Sequence, residues 1–205
     1  PSSRNIYGFY CVMATLQNNN VEKYLRHFAE SVLKKAKLIL RLKNKIISGK
    51  LINSLKYRLE ATKVGYNLIF KGAEHANFID RGVSGKGGSF KSGKYAGRHF
   101  SGIQTFTNIA GKKVNSPFRY TNKQPPASAL DKWIVRRGIA PRTKTGQFMK
   151  RKSLQFAIAG TIYKKGIEST SFFSEPMSIE LAKFNTGLLK QFKLDVITHF
   201  ETLQL

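Results

Sequence analysis

Acidic side chains are scarce in this sequence. Its 205 residues include 11 Asp and Glu against 36 Lys and Arg, which gives a formal net charge of +25. The surplus is concentrated in residues 81–152, where 17 Lys and Arg accompany one acid, Asp131, so that +16 of the +25 lies there. A chain with this charge repels itself and attracts polyanions, whether nucleic acid, an anionic membrane or an acidic protein.

Cysteine and long apolar runs are also scarce. Cys11 is the single cysteine, so an intrachain disulfide and a cysteine-based metal cluster are excluded. No apolar run approaches the roughly 18 residues that a membrane-spanning helix needs, and we expect no membrane partner. Hydrophobic residues still make up 41% of the chain and aromatic residues 12%, which is enough to offset the entropy of folding and to build a core.

The residue patterns of known catalytic sites are missing. The four histidines, at 27, 75, 99 and 199, are scattered, and the acids form no recognisable pair. Gly85–Gly88 has the composition of a phosphate-binding loop but lacks the spacing G-x-x-x-x-G-K-[ST] and a following helix. We therefore expect a protein without catalytic residues, bound cofactor or metal.

The first twelve residues differ in character from the rest of the chain. They precede Met13 and lack the long apolar core of a signal peptide. We interpret residues 1–12 as an extension upstream of an initiator Met13, and a trimmed arm is the alternative. Residues 13–205 are then expected to form a single domain.

Two long helices are indicated by apolar residues at three- and four-residue spacing. The first is predicted over 20–46, with Asn18–Asn20 able to cap its start. The last is predicted over 176–203. Its apolar stripe supplies the candidate core or subunit interface, which comprises Leu181, Phe184, Leu188, Phe192, Val196 and Phe200.

A β-hairpin is indicated between the long helices. Apolar and polar residues alternate over 57–61 and again over 66–70, on either side of Lys63–Gly65. Shorter helices are predicted over 74–81, 127–137 and 154–163. The fold class is therefore α+β, with a small antiparallel sheet flanked by a long N-terminal and a long C-terminal helix.

Residues 83–124 have a different character, because glycine is frequent and no helical period holds. We predict a basic, glycine-rich excursion with short strands over 103–109 and 118–120, mobile or ordered by a partner. Its cations alternate with aromatic residues, a composition suited to phosphates and bases or to a neighbouring subunit. The candidate contacts to DNA or to an acidic partner, here and further along the chain, are Arg81, Lys86, Lys91, Lys94, Arg98, Lys112, Lys113, Arg119, Lys123, Arg136, Arg137, Arg142, Lys144, Lys150, Arg151 and Lys152.

Three segments, taken in order, resemble the neck and tail-completion proteins of tailed bacteriophages. Ser48–Leu55 resembles the family's T/S-G-x-L-x-x-S-I/L segment, which joins a first helix to the first strand. His75–Ser84 resembles its Y-A-x-x-V-E-x-G-T/V turn after the hairpin. Gly166–Pro176 resembles its G-I-x-x-x-x-F-F-x-x-A/P segment before the last helix.

This resemblance implies a small structural subunit without catalytic residues. Such a subunit forms an oligomeric ring in the virion, at the head–tail interface, after assembly in the host cytoplasm. Its partners are copies of itself, other neck, portal or tail proteins and, without sequence preference, genomic DNA. The excursion is longer than the family pattern, so adaptor, stopper and tail terminator all stay open as its station.

A basic nucleic-acid-binding module, packaged or ribosomal in type, is the alternative that a net charge of +25 also permits. The long C-terminal apolar stripe favours assembly over that alternative. A nuclease or toxin is disfavoured, because no constellation of acids and histidines is present.

Overall fold

A computed structural model describes most of the chain. The described residues are 4–12, 19–45, 48–62, 65–91, 95–140, 142, 145–148 and 150–203, with the backbone alone described for 4–12 and 199–203. Within them the α-helices are α1 (Asn19–Leu42), α2 (Lys50–Ser54), α3 (Ala76–Arg81), α4 (Asp131–Arg136), α5 (Arg151–Lys165) and α6 (Ser174–Leu203). The strands are β1 (Arg4–Val12), β2 (Lys56–Thr62), β3 (Gly65–Gly72), β4 (Val83–Ser84), β5 (Gly88–Ser89), β6 (His99–Phe100), β7 (Thr105–Thr107), β8 (Lys113–Asn115) and β9 (Gly166–Ile167).

The chain divides into two compact units. The first unit contains Pro1–Asn77, Thr107–Lys112 and Ser171–Leu205, and the second contains Phe78–Phe106 and Lys113–Thr170. The second unit takes in most of the predicted excursion together with the helices that come after it. Long helices and small antiparallel sheets confirm the predicted α+β class.

The sheet of the first unit has three antiparallel strands in the order β1-β3-β2. The predicted hairpin is confirmed, because β2 pairs with β3 in a register that sets Tyr57 opposite Phe70 and Leu59 opposite Leu68. β1 pairs with the other edge of β3, with an irregularity between Asn5 and Tyr7. The predicted upstream extension therefore contributes an edge strand, which the sequence did not predict.

Helices α1 and α6 pack against each other in the first unit, and they run antiparallel. Phe184 of α6 lies between two aromatic rings of α1, with its centroid 4.8 Å from that of Phe28 and 5.9 Å from that of Tyr24. The predicted stripe faces this core in part. Phe184 and Leu188 are buried, whereas Leu181, Phe192 and Val196 are partly buried. The side chain of Phe200 lies outside the described residues.

The start of α1 is capped from α6, and Asn18 among the predicted capping residues lies outside the described residues. Asp195 is buried, and its two carboxylate oxygens accept the backbone N–H groups of Asn20 and Val21 at 3.0 and 2.9 Å. The side-chain amide of Asn20 donates to the same carboxylate at 2.8 Å. Free N–H groups at a helix start need acceptors, and here the acceptor comes from a helix more than 170 residues along the chain.

The end of α1 comes earlier than predicted. The sequence predicts a helix to residue 46, but the last helical residue is Leu42. Asn44 takes a left-handed conformation with φ of 50°, and the Lys45 N–H donates to the Leu40 carbonyl at 3.0 Å. This arrangement ends a helix because it satisfies a carbonyl of the last turn.

Two phenylalanines before α6 contribute to the core of the first unit. Phe172 and Phe173 are 0% and 1% exposed. The Phe173 ring meets that of Phe70 on β3 edge to face, with centroids 5.2 Å apart. The sheet is therefore part of the surroundings of this pair.

The second unit is built from short strands and two helices. The predicted helix over 127–137 is divided into a 3-10 turn, Ala127–Leu130, and α4. α5 begins three residues before the predicted start at 154, because its first turn is polar and basic and so lacks the apolar spacing that marks a helix. The side chain of Gln155 donates to Asp131 at 2.7 Å, which joins α5 to α4.

Candidate nucleic-acid interface

The centre of the second unit is a backbone junction around β4. Ser84 is buried, and its N–H donates to the Phe118 carbonyl at 2.7 Å. Its carbonyl accepts the N–H of Tyr120 at 2.8 Å, and its hydroxyl accepts the N–H of Gln104 at 3.1 Å. One serine thereby joins three segments that are distant in sequence.

The residues after Ser84 extend this junction to α5. The Gly85 N–H donates to the Gly102 carbonyl at 2.7 Å, and the Lys86 N–H donates to the Tyr163 carbonyl at 2.8 Å. A Cβ on Gly85 would lie 2.2 Å from the Lys164 carbonyl oxygen, and one on Gly102 would lie 2.6 Å from that of Gly85. Glycine occurs here because backbones approach closely. Backbone hydrogen bonds therefore join this part of the excursion to other segments, and the mobility or partner-ordering of residues 83–124 stays a prediction.

Cations converge on the segments that this junction holds together. We call residues 84–91, 98–104, 118–123 and 163–165 the basic junction. Five of its cations were predicted from the sequence, and the structure adds two at the end of α5. Those seven are Lys86, Lys91, Arg98, Arg119, Lys123, Lys164 and Lys165, of which six are exposed and Lys164 is half-buried.

An aromatic cluster holds two of these cations. The rings of Phe90, Tyr95 and Phe100 lie with centroids 5.7–6.1 Å apart, and Phe100 meets each of the others edge to face. The Arg98 guanidinium lies 5.4 Å from the Phe100 centroid, and the Lys164 Nζ lies 4.2 Å from that of Phe90. Attraction between a cation and a ring face restrains both side chains.

A second aromatic pair lies beside Lys86. Its Nζ is 5.9 Å from the Tyr163 centroid, and the Tyr163 and Tyr120 rings are 6.4 Å apart. The Tyr163 hydroxyl donates to the Thr121 carbonyl at 2.7 Å. Burial raises the pKa of the Tyr120 hydroxyl. That hydroxyl is therefore neutral at physiological pH and does not offset the positive charge.

Acidic groups hardly reduce the charge of the second unit. Its sequence contains 18 Lys and Arg and three acids, a net charge of +15. Asp80 is 3% exposed, and Asp131 accepts a hydrogen bond from Gln155 and lies 3.5 Å from Arg151. Glu168 is exposed. The resulting positive field attracts polyanions.

Another group of predicted cations lies on α4, on α5 and on the loop between them, together with exposed apolar side chains. We call residues 135–156 the α4–α5 surface. Arg142 lies 4.1 Å from the Phe148 centroid and donates to the Gly146 carbonyl at 3.0 Å. The exposed apolar residues are Val135, Ile139, Phe148 and Phe156, and the exposed cations are Arg136, Arg142, Lys150, Arg151 and Lys152.

The remaining predicted cations lie apart from both groups or outside the described residues. Arg81 is half-buried, with its guanidinium 5.8 Å from the Phe106 centroid. Lys112 and Lys113 are exposed beside the turn between β7 and β8. Arg137 is half-buried directly after α4. Lys94 and Lys144 lie outside the described residues.

Potential metal ligands do not cluster in the part of the chain that the structure describes. His, Cys, Asp and Glu there form no group of three or more that could hold a metal ion. None of the described helices combines the length and apolar character needed to cross a membrane. The chain matches no protein-family model, no curated protein and no solved structure.

Proposed function

We propose that this chain is a non-catalytic structural subunit of the neck or tail-completion region of a tailed-phage particle, where it forms an oligomeric ring at the head–tail interface. The observation that carries the proposal is the placement of the three family-like segments. Ser48–Leu55 joins α1 to β2, His75–Ser84 comes after the hairpin and contains α3, and Gly166–Pro176 leads from β9 into α6. His75–Ser84 and Gly166–Pro176 lie where the family pattern has them, and Ser48–Leu55 leads from the first helix to a strand that is second in the chain, because β1 precedes α1.

The local physics of these segments supports the proposal. Gly49 and Gly82 both have φ of 71°, a left-handed conformation that few other residues adopt. Gly49 precedes α2, and Gly82 ends α3. The buried pair Phe172 and Phe173 anchors the start of α6. The glycines and phenylalanines that match the pattern therefore lie where a left-handed backbone or a buried site restricts the residue type.

A ring requires a contact between copies, and we place it at the α4–α5 surface. Interfaces between proteins are enriched in aromatic residues and arginine and depleted in lysine, and anchors of this type carry much of the binding energy. Phe148 and Phe156 are 67% and 53% exposed, and Arg142 lies over the Phe148 ring. Other neck, portal or tail proteins are the further partners, and the virion is the location.

Native mass and location in the particle test this function. Sedimentation of the purified protein should show a closed oligomer, and an antibody should label the neck of particles. Phe148→Ser with Phe156→Ser should dissociate the oligomer. Leu42→Ser with Leu189→Ser, which changes exposed apolar residues of the first unit, should not. A monomer at every concentration that is absent from particles would contradict the proposal.

The second candidate function is a basic nucleic-acid-binding module outside any particle. The observation that favours it is the basic junction, whose cations come from four separate segments of chain. A module of this kind would be monomeric and would shift DNA with strong salt dependence. Sedimentation and particle labelling therefore distinguish it from a ring subunit.

A further inference from the structure

We propose that the basic junction binds the sugar–phosphate backbone of double-stranded DNA without reading its bases. This inference deepens the proposed function by naming the genome as a ligand of the subunit, and only its biological setting rests on that function. It selects one of the two cationic surfaces of the second unit. It also assigns a role to Lys164 and Lys165, which the sequence pattern did not single out.

The basic junction gathers cations and contains no acidic residue. The seven cations come from all four segments of the basic junction, residues 84–91, 98–104, 118–123 and 163–165. No acid occurs within the junction segments. Each phosphate that a lysine or arginine neutralises releases condensed counterions, which is the main source of affinity in binding without base recognition.

The composition of the basic junction favours DNA over a protein as its partner. Lysine accounts for five of the seven cations of the basic junction, and protein interfaces are depleted in lysine. Ile103 is the one large apolar side chain with high exposure among the described junction residues. The α4–α5 surface has the opposite character, with four exposed apolar side chains. The basic junction therefore fits phosphates, and the α4–α5 surface fits protein.

The packing of the aromatic rings in and beside the basic junction favours duplex DNA over single strands. Binding of single strands depends on aromatic faces that are free to stack on bases. The rings of Phe90, Tyr95 and Phe100 pack on one another and on Arg98 and Lys164. They are also half-buried. Rings engaged in this way position cations and offer little stacking surface.

The elements of the basic junction are not suited to recognising bases. Reading bases in the major groove requires a helix or a two-stranded ribbon that enters the groove. The strands of the junction, β4, β5 and β6, have two residues each, and α5 ends within it at Lys165. The strands are too short to form a ribbon that enters a groove, and α5 contributes only its last three residues to the junction. Contacts with phosphates position a protein on DNA but carry no sequence information.

The backbone of the basic junction is ordered by hydrogen bonds between its segments. The segments that carry the cations are joined by backbone hydrogen bonds of 2.7–3.0 Å. Lys164 also donates to the Ser89 carbonyl. Because the backbone segments are already joined, no loop has to be ordered before their cations can meet phosphates.

A pair of variants with equal net charge tests the inference. The junction variant combines Lys86→Gln, Lys91→Gln, Arg119→Gln and Lys165→Gln. The control combines Lys23→Gln, Lys34→Gln, Lys183→Gln and Lys193→Gln, all exposed residues of the first unit. Each set lowers the net charge from +25 to +21. Binding of a fluorescent duplex and of its single strands to the full-length protein is measured by anisotropy across a salt series, and folding is checked by urea unfolding.

For the wild-type protein, the logarithm of the duplex affinity should fall linearly with the logarithm of the salt concentration. The junction variant should bind at least about tenfold more weakly and lose about 0.9 from the slope for each phosphate contact removed. The control should stay within about twofold of wild type. Duplexes of different sequence should bind alike, and tighter than single strands.

Several results would overturn the inference. Equal weakening in both variants would assign binding to total charge, and unchanged binding in the junction variant would exclude the site. Tighter binding of single strands would exclude the duplex. Binding of poly-glutamate without binding of DNA would assign the junction to an acidic protein. DNA binding by a monomer absent from particles would leave this inference standing while the ring proposal fails.

Discussion

Gly102 and Gly97 adopt almost the same backbone conformation, with φ of 72° and 74°, but they have different surroundings. A Cβ on Gly102 would lie 2.6 Å from the Gly85 carbonyl oxygen, whereas one on Gly97 would have no heavy atom within 4 Å. Gly97→Ala should therefore cost about 1–2 kcal/mol, the strain of a left-handed alanine. Gly102→Ala should cost clearly more, because the backbone must also move. Urea unfolding measures both, and equal losses would remove close packing as the reason for glycine at 102.

Asp195 is the acceptor for the first turn of α1. Asp195→Ala leaves one buried and one partly buried backbone N–H group without that acceptor and should lower the free energy of unfolding by about 1–3 kcal/mol. Asn20→Ala removes one side-chain hydrogen bond and keeps both backbone bonds, so its loss should be smaller. Thermal and urea unfolding compare the two variants. A larger loss for Asn20→Ala would contradict this account of the cap.

Glu180 links stability to pH through its contacts with α1. Burial acts to raise the pKa of Glu180, but hydrogen bonds from Lys35 and Ser31 outweigh it, so the pKa lies below its ordinary value of 4.5. A carboxylate with a lowered pKa stabilises the fold above that ordinary value and loses this contribution as the pH falls through the folded-state pKa. Lys35→Met should therefore make unfolding free energy less sensitive to pH below about 4.5. Identical acid profiles in urea unfolding would show that Lys35 has no such role.

At the scale of elements, α6 shows two faces in adjacent residues. Leu188 is buried at 9% exposure and Leu189 is 65% exposed. Leu188→Ala should cost about 2–5 kcal/mol, because it leaves a cavity against α1. Leu189→Ala should change the unfolding free energy by less than about 0.5 kcal/mol. Thermal unfolding measures both, and equal effects would show that the stripe through Leu188 is not the packed face.

Elements with a sustained period were predictable. α1, α6 and the β2–β3 hairpin are indicated by apolar spacing over many residues, and the structure confirms them. β1 was missed because its pairing with β3 depends on residues far away in sequence. The early end of α1 was missed because Asn44 adopts a left-handed conformation that its neighbours do not indicate.

The candidate site was predictable only in part. The sequence shows a basic segment over residues 81–152, where Asp131 is the single acid, and five cations of the basic junction lie in that segment. Lys164 and Lys165 were missed because their pattern is that of a helix end, and their neighbours become visible only through hydrogen bonds between α5 and residues 86–87. Glycine density does not predict the close backbone contact at Gly85, because glycine occurs both in flexible segments and where backbones approach closely.

The whole molecule carries a charge that opposes its own folding. With a net charge of +25, repulsion between cations is greater in the compact state than in the unfolded chain. Raising NaCl from about 10 to 200 mM shortens the screening length from roughly 30 Å to below 10 Å, so the melting temperature should rise. The junction variant, at +21, should show a smaller rise. A melting temperature that falls with salt in the wild-type protein would contradict dominant self-repulsion.

Asp195 and the first turn of α1 also set an order of events during protein synthesis. The first unit combines residues from near both ends of the chain, so its helix pair cannot close until α6 has left the ribosome. The second unit, through Thr170, emerges before that helix. Domains generally fold as units during translation, and contacts of high sequence separation form slowly. The face of α1 that packs on α6 therefore stays uncovered until α6 has been synthesised.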